Sequence, residues 1–237
     1  MGTVVTTILT QGLFIAFIPA LIVIGIIFRW AAGTQTAIYA TLRMLVQLLL
    51  IGYVLTYLFE SDQPLIIIAV LLFMLAVSSW IAIRPLEQKK RHSYFNALVA
   101  ISIGGILTLA LVSQAVLGIQ PWFSPRYLVP LAGMIFAGSM NSVSLAAERF
   151  QSESDRGTPY VEARRIALQA ALIPMINSLF AVGLVSLPGM MTGQILSGVS
   201  PLIAAKYQIV VMTMLFGASG ISAALYLVLA NRSLDRS

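Results

Sequence analysis

Long apolar stretches, separated by short polar breaks, fill most of the 237-residue chain. A helix needs about 20 mainly apolar residues to span a bilayer. Seven stretches approach or exceed this length, at residues 4–28, 37–59, 64–83, 94–118, 127–147, 166–187 and 207–230. The pattern predicts an all-α fold, a polytopic membrane helix bundle of about seven transmembrane helices. Because little chain remains between the stretches, we expect a single transmembrane domain over residues 1–237, embedded in an inner or plasma membrane as a multi-pass protein.

The composition agrees with a membrane protein and limits its chemistry. Charged residues make up 9% of the chain, whereas soluble domains average about 25%. The chain has no cysteine, which excludes disulfides, thiolate metal sites and cysteine nucleophiles. The acidic residues all lie in the polar breaks or at span edges: Glu60, Asp62, Glu87, Glu148, Glu153, Asp155, Glu162 and Asp235. An ionisable group within a span usually marks proton or ion coupling, so this placement argues against a gradient-driven transporter.

The basic residues predict how the chain is oriented. With the N-terminus outside and the C-terminus in the cytoplasm, eleven basic residues fall in cytoplasmic breaks: Arg29, Arg84, Lys89, Lys90, Arg91, Arg149, Arg156, Arg164, Arg165, Arg232 and Arg236. Only Arg126 and Lys206 then lie outside, and positive loops tend to stay in the cytoplasm. The net charge of +6 therefore reflects orientation rather than nucleic-acid binding, since no stripe of basic and stacking aromatic residues is present.

Enzyme chemistry is poorly represented in the sequence. The Gly-x-x-x-x-Gly-Lys-Ser/Thr phosphate loop is absent. The single histidine, His92, lies in a basic break, so the spans can assemble neither a histidine metal cluster nor a Ser-His-Asp arrangement. We expect a non-catalytic protein without a cofactor. Methionines are plentiful in the second half, where they either contact soft metal ions or fill gaps in apolar packing.

A few polar side chains lie within the predicted spans. Arg43 and Gln47 are four residues apart and so share one helix face. This face either points into the bundle or lets Arg43 snorkel to the membrane edge. Asn141 and Asn177 place amides in the fifth and sixth spans. These residues are candidates for a polar path through the protein.

Two apolar segments share an interruption in which proline is followed by glycine and methionine. One contains Pro130, and the other contains Pro188, Gly189, Met190, Met191, Gly193 and Gln194. Irregular backbone at membrane depth is tolerated only against protein or a water-filled cavity. We predict that the second interruption lines a translocation path with Asn141 and Asn177, and that carbonyls near Pro188 lack helical partners. The alternative is an ordinary kink or helix end. A third segment, residues 148–165, mixes both charge signs and resembles a short helix that enters the membrane from the cytoplasm.

Residues 131–145, 171–178, 182–196 and 205–212 resemble the FetB-type permeases, a family that includes bacterial iron-export permeases and membrane subunits of plant aluminium-tolerance transporters. The run Leu-Pro-Gly-Met-Met-Thr-Gly-Gln at residues 187–194 carries much of the resemblance. The resemblance implies a permease subunit of an ATP-binding-cassette transporter, driven by a separate cytoplasmic ATPase subunit. It implies metal-ion export, of iron or a related metal. The alternatives are a sugar nucleotide or lipid-like solute, a gradient-driven carrier and a membrane scaffold.

The same resemblance assigns a loop that couples the permease to its ATPase. This loop would comprise Gly157, Thr158, Pro159, Tyr160, Glu162 and Ala163. The chain departs from the family pattern at Arg164, where a third alanine is expected, so a plain surface helix is the alternative. Seven spans are few for a complete pore and closed two-fold assembly is common. We therefore also expect a homodimer of the permease.

Overall fold

A computed structural model describes residues 10–30, 33–60, 63–86 and 91–234. Within these residues the regular structure is helical, apart from an isolated bridge between Val182 and Ser186. The helices form two compact units, one within Met1–Glu60 and the other within Ser61–Ser237. The all-α prediction is therefore confirmed for the described part of the chain, and the single permease domain over residues 1–237 stays a prediction.

The first unit contains three helices, α1 (Thr10–Ala16), α2 (Ile18–Trp30) and α3 (Thr34–Phe59). The turn at Phe17 precedes Pro19, which occupies the first turn of α2, where its missing amide is tolerated. Gly33 precedes α3 with a φ of 110°, a left-handed conformation that favours glycine. The first predicted span, residues 4–28, is thus helical from Thr10 onward, and residues 4–9 lie outside the described part.

The second unit contains six helices in the described residues. They are α4 (Pro64–Ala82), α5 (Arg91–Ala110, continued by a π-helical turn at Leu111–Val116), α6 (Pro125–Asp155), α7 (Tyr160–Ala181), α8 (Gly189–Leu196) and α9 (Pro201–Leu234). Proline begins α4, α6 and α9, because its fixed φ suits a first turn whose amides need no helical partner.

Small residues let α9 lie close to α5 and α6. A Cβ atom at Gly104 of α5 would overlap the Ser222 hydroxyl of α9, and one at Gly138 of α6 would lie 3.1 Å from the Ser219 hydroxyl. Ser219 and Ser222 are buried. Membrane helices gain close contact through such residues, since lipid supplies little hydrophobic driving force between them. Helix α9 is consequently the centre of the second unit.

Five helices are long and apolar enough to cross a membrane: Thr34–Phe59, Pro64–Ala82, Arg91–Val116, Pro125–Asp155 and Pro201–Asn231. A membrane helix bundle is thereby confirmed, whereas the number seven is not reached by length and composition. The described part of the first predicted span forms a shorter apolar helix, Phe14–Trp30. The sixth predicted span belongs to α7, whose first turns carry charges and whose apolar part, residues 166–181, is about 24 Å long.

Two local predictions are wrong. Residues 148–165 do not form a separate short helix, because α6 continues to Asp155 and α7 begins at Tyr160. Pro130 does not interrupt its segment either, since α6 runs through it. Pro130 lies in the second turn of α6, so its missing amide costs one hydrogen bond near the helix end.

Candidate functional site

The turn between α6 and α7 reverses the chain over four residues. Gly157 has a φ of 79°, which favours glycine, and its amide donates to the Ser154 carbonyl at 2.9 Å. The Thr158 amide donates to the Glu153 carbonyl at 3.1 Å. The Pro159 carbonyl then accepts the amides of the first turn of α7. The predicted coupling residues therefore form one compact turn that links two helices.

Glu153 places a buried carboxylate beneath this turn, with the residue 6% exposed. An Arg149 guanidinium nitrogen lies 2.7 Å from its Oε1 atom, and one of Arg156 lies 3.6 Å from the same atom. The Thr158 hydroxyl donates to Oε2 at 3.0 Å. A buried charge is tolerated when it is paired and hydrogen-bonded in this way. The sequence analysis assigned Glu153 no role, although its spacing of four from Arg149 could have indicated the pair.

Tyr160 connects the turn to two further helices. Its hydroxyl donates to the Leu227 carbonyl of α9 at 3.4 Å, and its ring meets the Phe150 ring of α6 edge to face at 6.0 Å. The Arg164 guanidinium lies 5.2 Å from the centre of the Tyr160 ring. We name Arg149, Glu153, Thr158 and Tyr160 the turn cluster. Through it, α6, α7 and α9 share one anchored end.

The remaining predicted coupling residues differ in exposure. Ala163 is fully buried, so its side chain packs within the unit. The Glu162 side chain is 46% exposed and accepts hydrogen bonds from Arg165 at 2.6 and 3.0 Å. The Arg165 hydrogen bond holds the pKa of Glu162 below its ordinary value. Glu162 is thus an ionised group at the surface of the turn.

A pocket of about 440 Å³ lies farther along α7 and α9. Its lining residues are Met175, Asn177, Ser178, Ala181, Val182, Ser186, Pro188, Met212 and Leu215. Helices rise about 1.5 Å per residue, which places Asn177 about 26 Å along α7 from Tyr160 and Met212 about 22 Å along α9 from Leu227. Since Tyr160 and Leu227 are in contact, the two estimates agree. The pocket lies at a depth that corresponds to the membrane interior.

Two of the predicted path residues, Asn177 and Pro188, line this pocket. Asn141 is exposed on α6 and does not line it. The run from Gly189 to Gln194 forms α8 beside the pocket instead of an irregular segment. The sequence therefore located the chain interruption correctly but grouped residues that the structure separates.

The backbone around Pro188 is better satisfied than predicted. The Ala181 carbonyl accepts the amides of Leu184, Val185 and Ser186 at 2.8–3.2 Å. The Pro188 carbonyl accepts the Thr192 amide at 3.0 Å and its hydroxyl at 3.2 Å. The expectation of unpartnered carbonyls is wrong at these positions, because a tight turn and a new helix replace the lost bonds. Side chains, not free carbonyls, supply the polarity of the pocket.

Some buried side-chain oxygens have no hydrogen-bond partner among the described residues. They belong to Ser139, Gln194, Gln208 and Ser222. Gln208 is 5% exposed on α9, and the sequence analysis did not single it out. An unpartnered buried amide oxygen is costly, so Gln208 joins Gln194 as a candidate polar contact near α8. Its only sequence signal was a lone amide between apolar residues.

Arg43 and Gln47 belong to the first unit. Both lie on α3, and their spacing places them on one face, as predicted. Gln47 is exposed and Arg43 is half-buried. Among the described residues, no group of three histidine or acidic side chains could hold a metal ion. Metal contact would therefore fall to amides, hydroxyls and thioethers.

Five membrane-length apolar helices and a pocket at membrane depth define an integral, multi-pass membrane protein. The chain belongs to the uncharacterised protein family UPF0014, which matches residues 9–234. The UPF0014 membrane protein slr1647 of Synechocystis is 38% identical over 200 residues, which are 77% of this chain and 73% of that protein. No solved structure matches the chain.

Two further relatives have more informative names. The probable iron export permease protein FetB of Escherichia coli is 32% identical over 213 residues, covering 82% of this chain and 80% of that protein. The Arabidopsis thaliana protein ALUMINUM SENSITIVE 3 is 34% identical over 200 residues, covering 78% and 72%. The resemblance found in the sequence is thus confirmed.

Proposed function

We propose that this chain is the permease subunit of an ATP-binding-cassette transporter that exports iron or a related metal ion with a separate ATPase subunit. The observation that carries the proposal is the similarity to FetB over most of both chains. The phosphate loop is absent from the sequence, so the energy source must be a partner protein.

The α6–α7 turn is the proposed contact with the ATPase. It presents the ionised Glu162 at the surface, while Tyr160 ties the same turn to α6 and α9. A push on the turn would therefore reach three helices together. The orientation derived from the basic residues puts this turn in the cytoplasm, where an ATPase subunit would meet it.

The pocket beside α8 is the proposed start of the metal path. It offers the Asn177 amide, the Ser178 and Ser186 hydroxyls and two thioethers. These ligands bind a metal weakly compared with carboxylates or thiolates. Weak binding suits export, because a tightly held ion would leave slowly. We include Met190, Met191 and Gln194 of α8 and Asn141 of α6 in the path as flanking contacts.

Reconstitution with the ATPase tests the proposal. The chain and the ATPase should co-purify, and vesicles containing both should move iron in an ATP-dependent manner. Asn177→Leu should lower transport, whereas Gln114→Leu, which removes an exposed amide outside this pocket, should not. ATP-independent iron movement, or none with an active ATPase bound, would contradict the proposal.

Contact with the ATPase has its own test. Single cysteines at positions 157–165 should crosslink to the ATPase, and Ser124→Cys, at the start of α6, should serve as the negative control. The absence of crosslinks at all of these positions in a complex that co-purifies would refute the coupling assignment.

A further inference from the structure

An exposed apolar surface covers the end of α7 and the turn that follows it. Phe180, Leu184 and Val185 are 77%, 90% and 84% exposed. Only Ala163, Ala167 and Ala171, in the first half of α7, are buried in that helix. We call the surface formed by residues 176–197 the α7–α8 face. Exposure alone is ordinary for a helix in lipid, so other properties must identify what covers this face.

Polar groups on the face argue against lipid as its neighbour. Asn177 and Ser178 are exposed, although the helix rise places them at membrane depth. The turn at residues 182–188 also exposes irregular backbone there. Lipid-facing amides and irregular backbone are strongly disfavoured in hydrocarbon. The face is therefore covered by protein or borders a water-filled space.

The glycines of α8 indicate a close helix contact. Gly189, Gly193 and Ser197 are spaced by four and so follow one face of α8. A Cβ atom at either glycine would meet no described atom within 4 Å. In contrast, Cβ atoms at Gly104 and Gly105 would collide with neighbouring helices. Small residues at this spacing are the usual site of close packing between membrane helices, and at α8 that packing partner is missing from the described chain.

The chemistry of the segment fits a copy of itself. Residues 166–205 contain no charged side chain, whereas interfaces with soluble partners have charged and polar rims. An amide carries both a donor and an acceptor. Asn177 can therefore satisfy the Asn177 of a second copy across a two-fold axis, where identical patches face each other.

We propose that the α7–α8 face is where two copies of this chain pair, with Gly189 and Gly193 at the helix contact and the two pockets side by side. Pairing would enclose the Asn177, Ser178 and Ser186 side chains between the copies. The pocket would then become one path with two-fold symmetry. This last consequence rests on the proposed permease function, but the pairing itself does not.

Cysteine crosslinking of the full chain in native membranes tests the pairing, and the cysteine-free background makes it clean. Leu184→Cys and Val185→Cys should give crosslinked dimers on mild oxidation. The controls are Phe73→Cys on α4 and Leu107→Cys on α5, which are 69% and 63% exposed and should stay monomeric. Dimers from the controls but not from the face, or none from any position, would overturn the proposal.

Bulky substitutions supply a second measurement. Gly189→Leu and Gly193→Leu should lower the dimer fraction at least several-fold at normal membrane levels, because the added side chains meet only the partner. Gly52→Leu on α3, where a Cβ also meets no described atom, is the matched control. Unchanged dimerisation in both variants would refute the contact, and would favour coverage by residues 10–60 of the same chain. Both measurements need neither ATPase nor metal, so a dimer without transport would refute only the proposed function.

Discussion

Glu153→Gln probes whether a buried carboxylate holds the α6–α7 turn in place. Glutamine keeps the shape of the side chain and can still accept the Thr158 hydroxyl, which lies 3.0 Å from Oε2. It removes the negative charge that faces Arg149 at 2.7 Å and Arg156 at 3.6 Å. The substitution therefore isolates the charge of Glu153 from its packing.

The expected loss of stability follows from the exposure of each partner. A hydrogen bond to a charged group contributes about 1.5–3 kcal/mol, and the lower end applies because the Arg149 side chain is 39% exposed. Arg156 is 65% exposed, and such surface pairs contribute about 0–1 kcal/mol. We expect a total loss of about 1.5–2.5 kcal/mol. For a chain of this size that lowers the Tm by roughly 3–8 °C.

Thermal unfolding of the purified chain, at fixed detergent and protein concentration, measures the effect. Glu148→Gln is the matched control, since Glu148 lies exposed on the same helix and its substitution changes the net charge equally. The control should shift the Tm by no more than about 1 °C, as surface substitutions usually do. Equal shifts for the two variants would show that the Glu153 charge does not stabilise the turn.

Four further outcomes are expected. Gly104→Ala should destabilise the chain by about 1–3 kcal/mol, since the added methyl meets the backbone of α9, whereas Gly217→Ala, with no described atom near its Cβ, should not lower the Tm. Tyr160→Phe should cost about 0.5–1.5 kcal/mol in thermal unfolding, because it removes only the hydroxyl hydrogen bond. The Glu162 pKa is lowered by its Arg165 hydrogen bond, so this pair stabilises the turn above the ordinary pKa of glutamate and is lost as the pH falls through the lowered value; Glu162→Gln should leave the Tm near neutral pH almost unchanged and reduce ATPase coupling. Ser154→Cys should react with an impermeant reagent only after the membrane is opened, and labelling in intact cells would reverse the predicted orientation.

Hydropathy predicted the helical spans well because it depends on composition along a single segment. Its failures came where two signals overlapped. Helix α7 begins with Glu162, Arg164 and Arg165 and only then becomes apolar, so length and hydropathy disagree about whether it spans. The end of α6 has the opposite property, because Glu148 and Glu153 continue a helix whose apolar part is already complete.

The two proline interruptions show how similar motifs diverge. Pro130 and Pro188 are each followed by glycine and methionine. Pro130 lies two turns inside a 31-residue helix that buries many side chains, and that packing outweighs one lost hydrogen bond. Pro188 follows Gly183, whose φ of 84° has already turned the chain. The tertiary packing that separates the two cases cannot be read from the motif.

The turn cluster was beyond sequence reasoning for a different reason. Tyr160 and Leu227 are far apart in the chain, and their contact depends on how α7 and α9 pack. The burial of Glu153 likewise depends on neighbouring helices. Only the local part of the site, the glycine turn and the Glu162–Arg165 spacing, could be recognised in advance.

Both regions of the candidate site lie on α7, with Tyr160 at its start and Asn177 about 26 Å farther along. Between them, the buried face of α7 consists of Ala163, Ala167 and Ala171. Alanine has no side-chain torsion that can absorb a displacement, and helical hydrogen bonds keep the rise fixed. A movement imposed on the turn is therefore carried along α7 as a whole. This rigid connection is the property that the proposed function requires between an ATPase contact at one end and a metal path at the other.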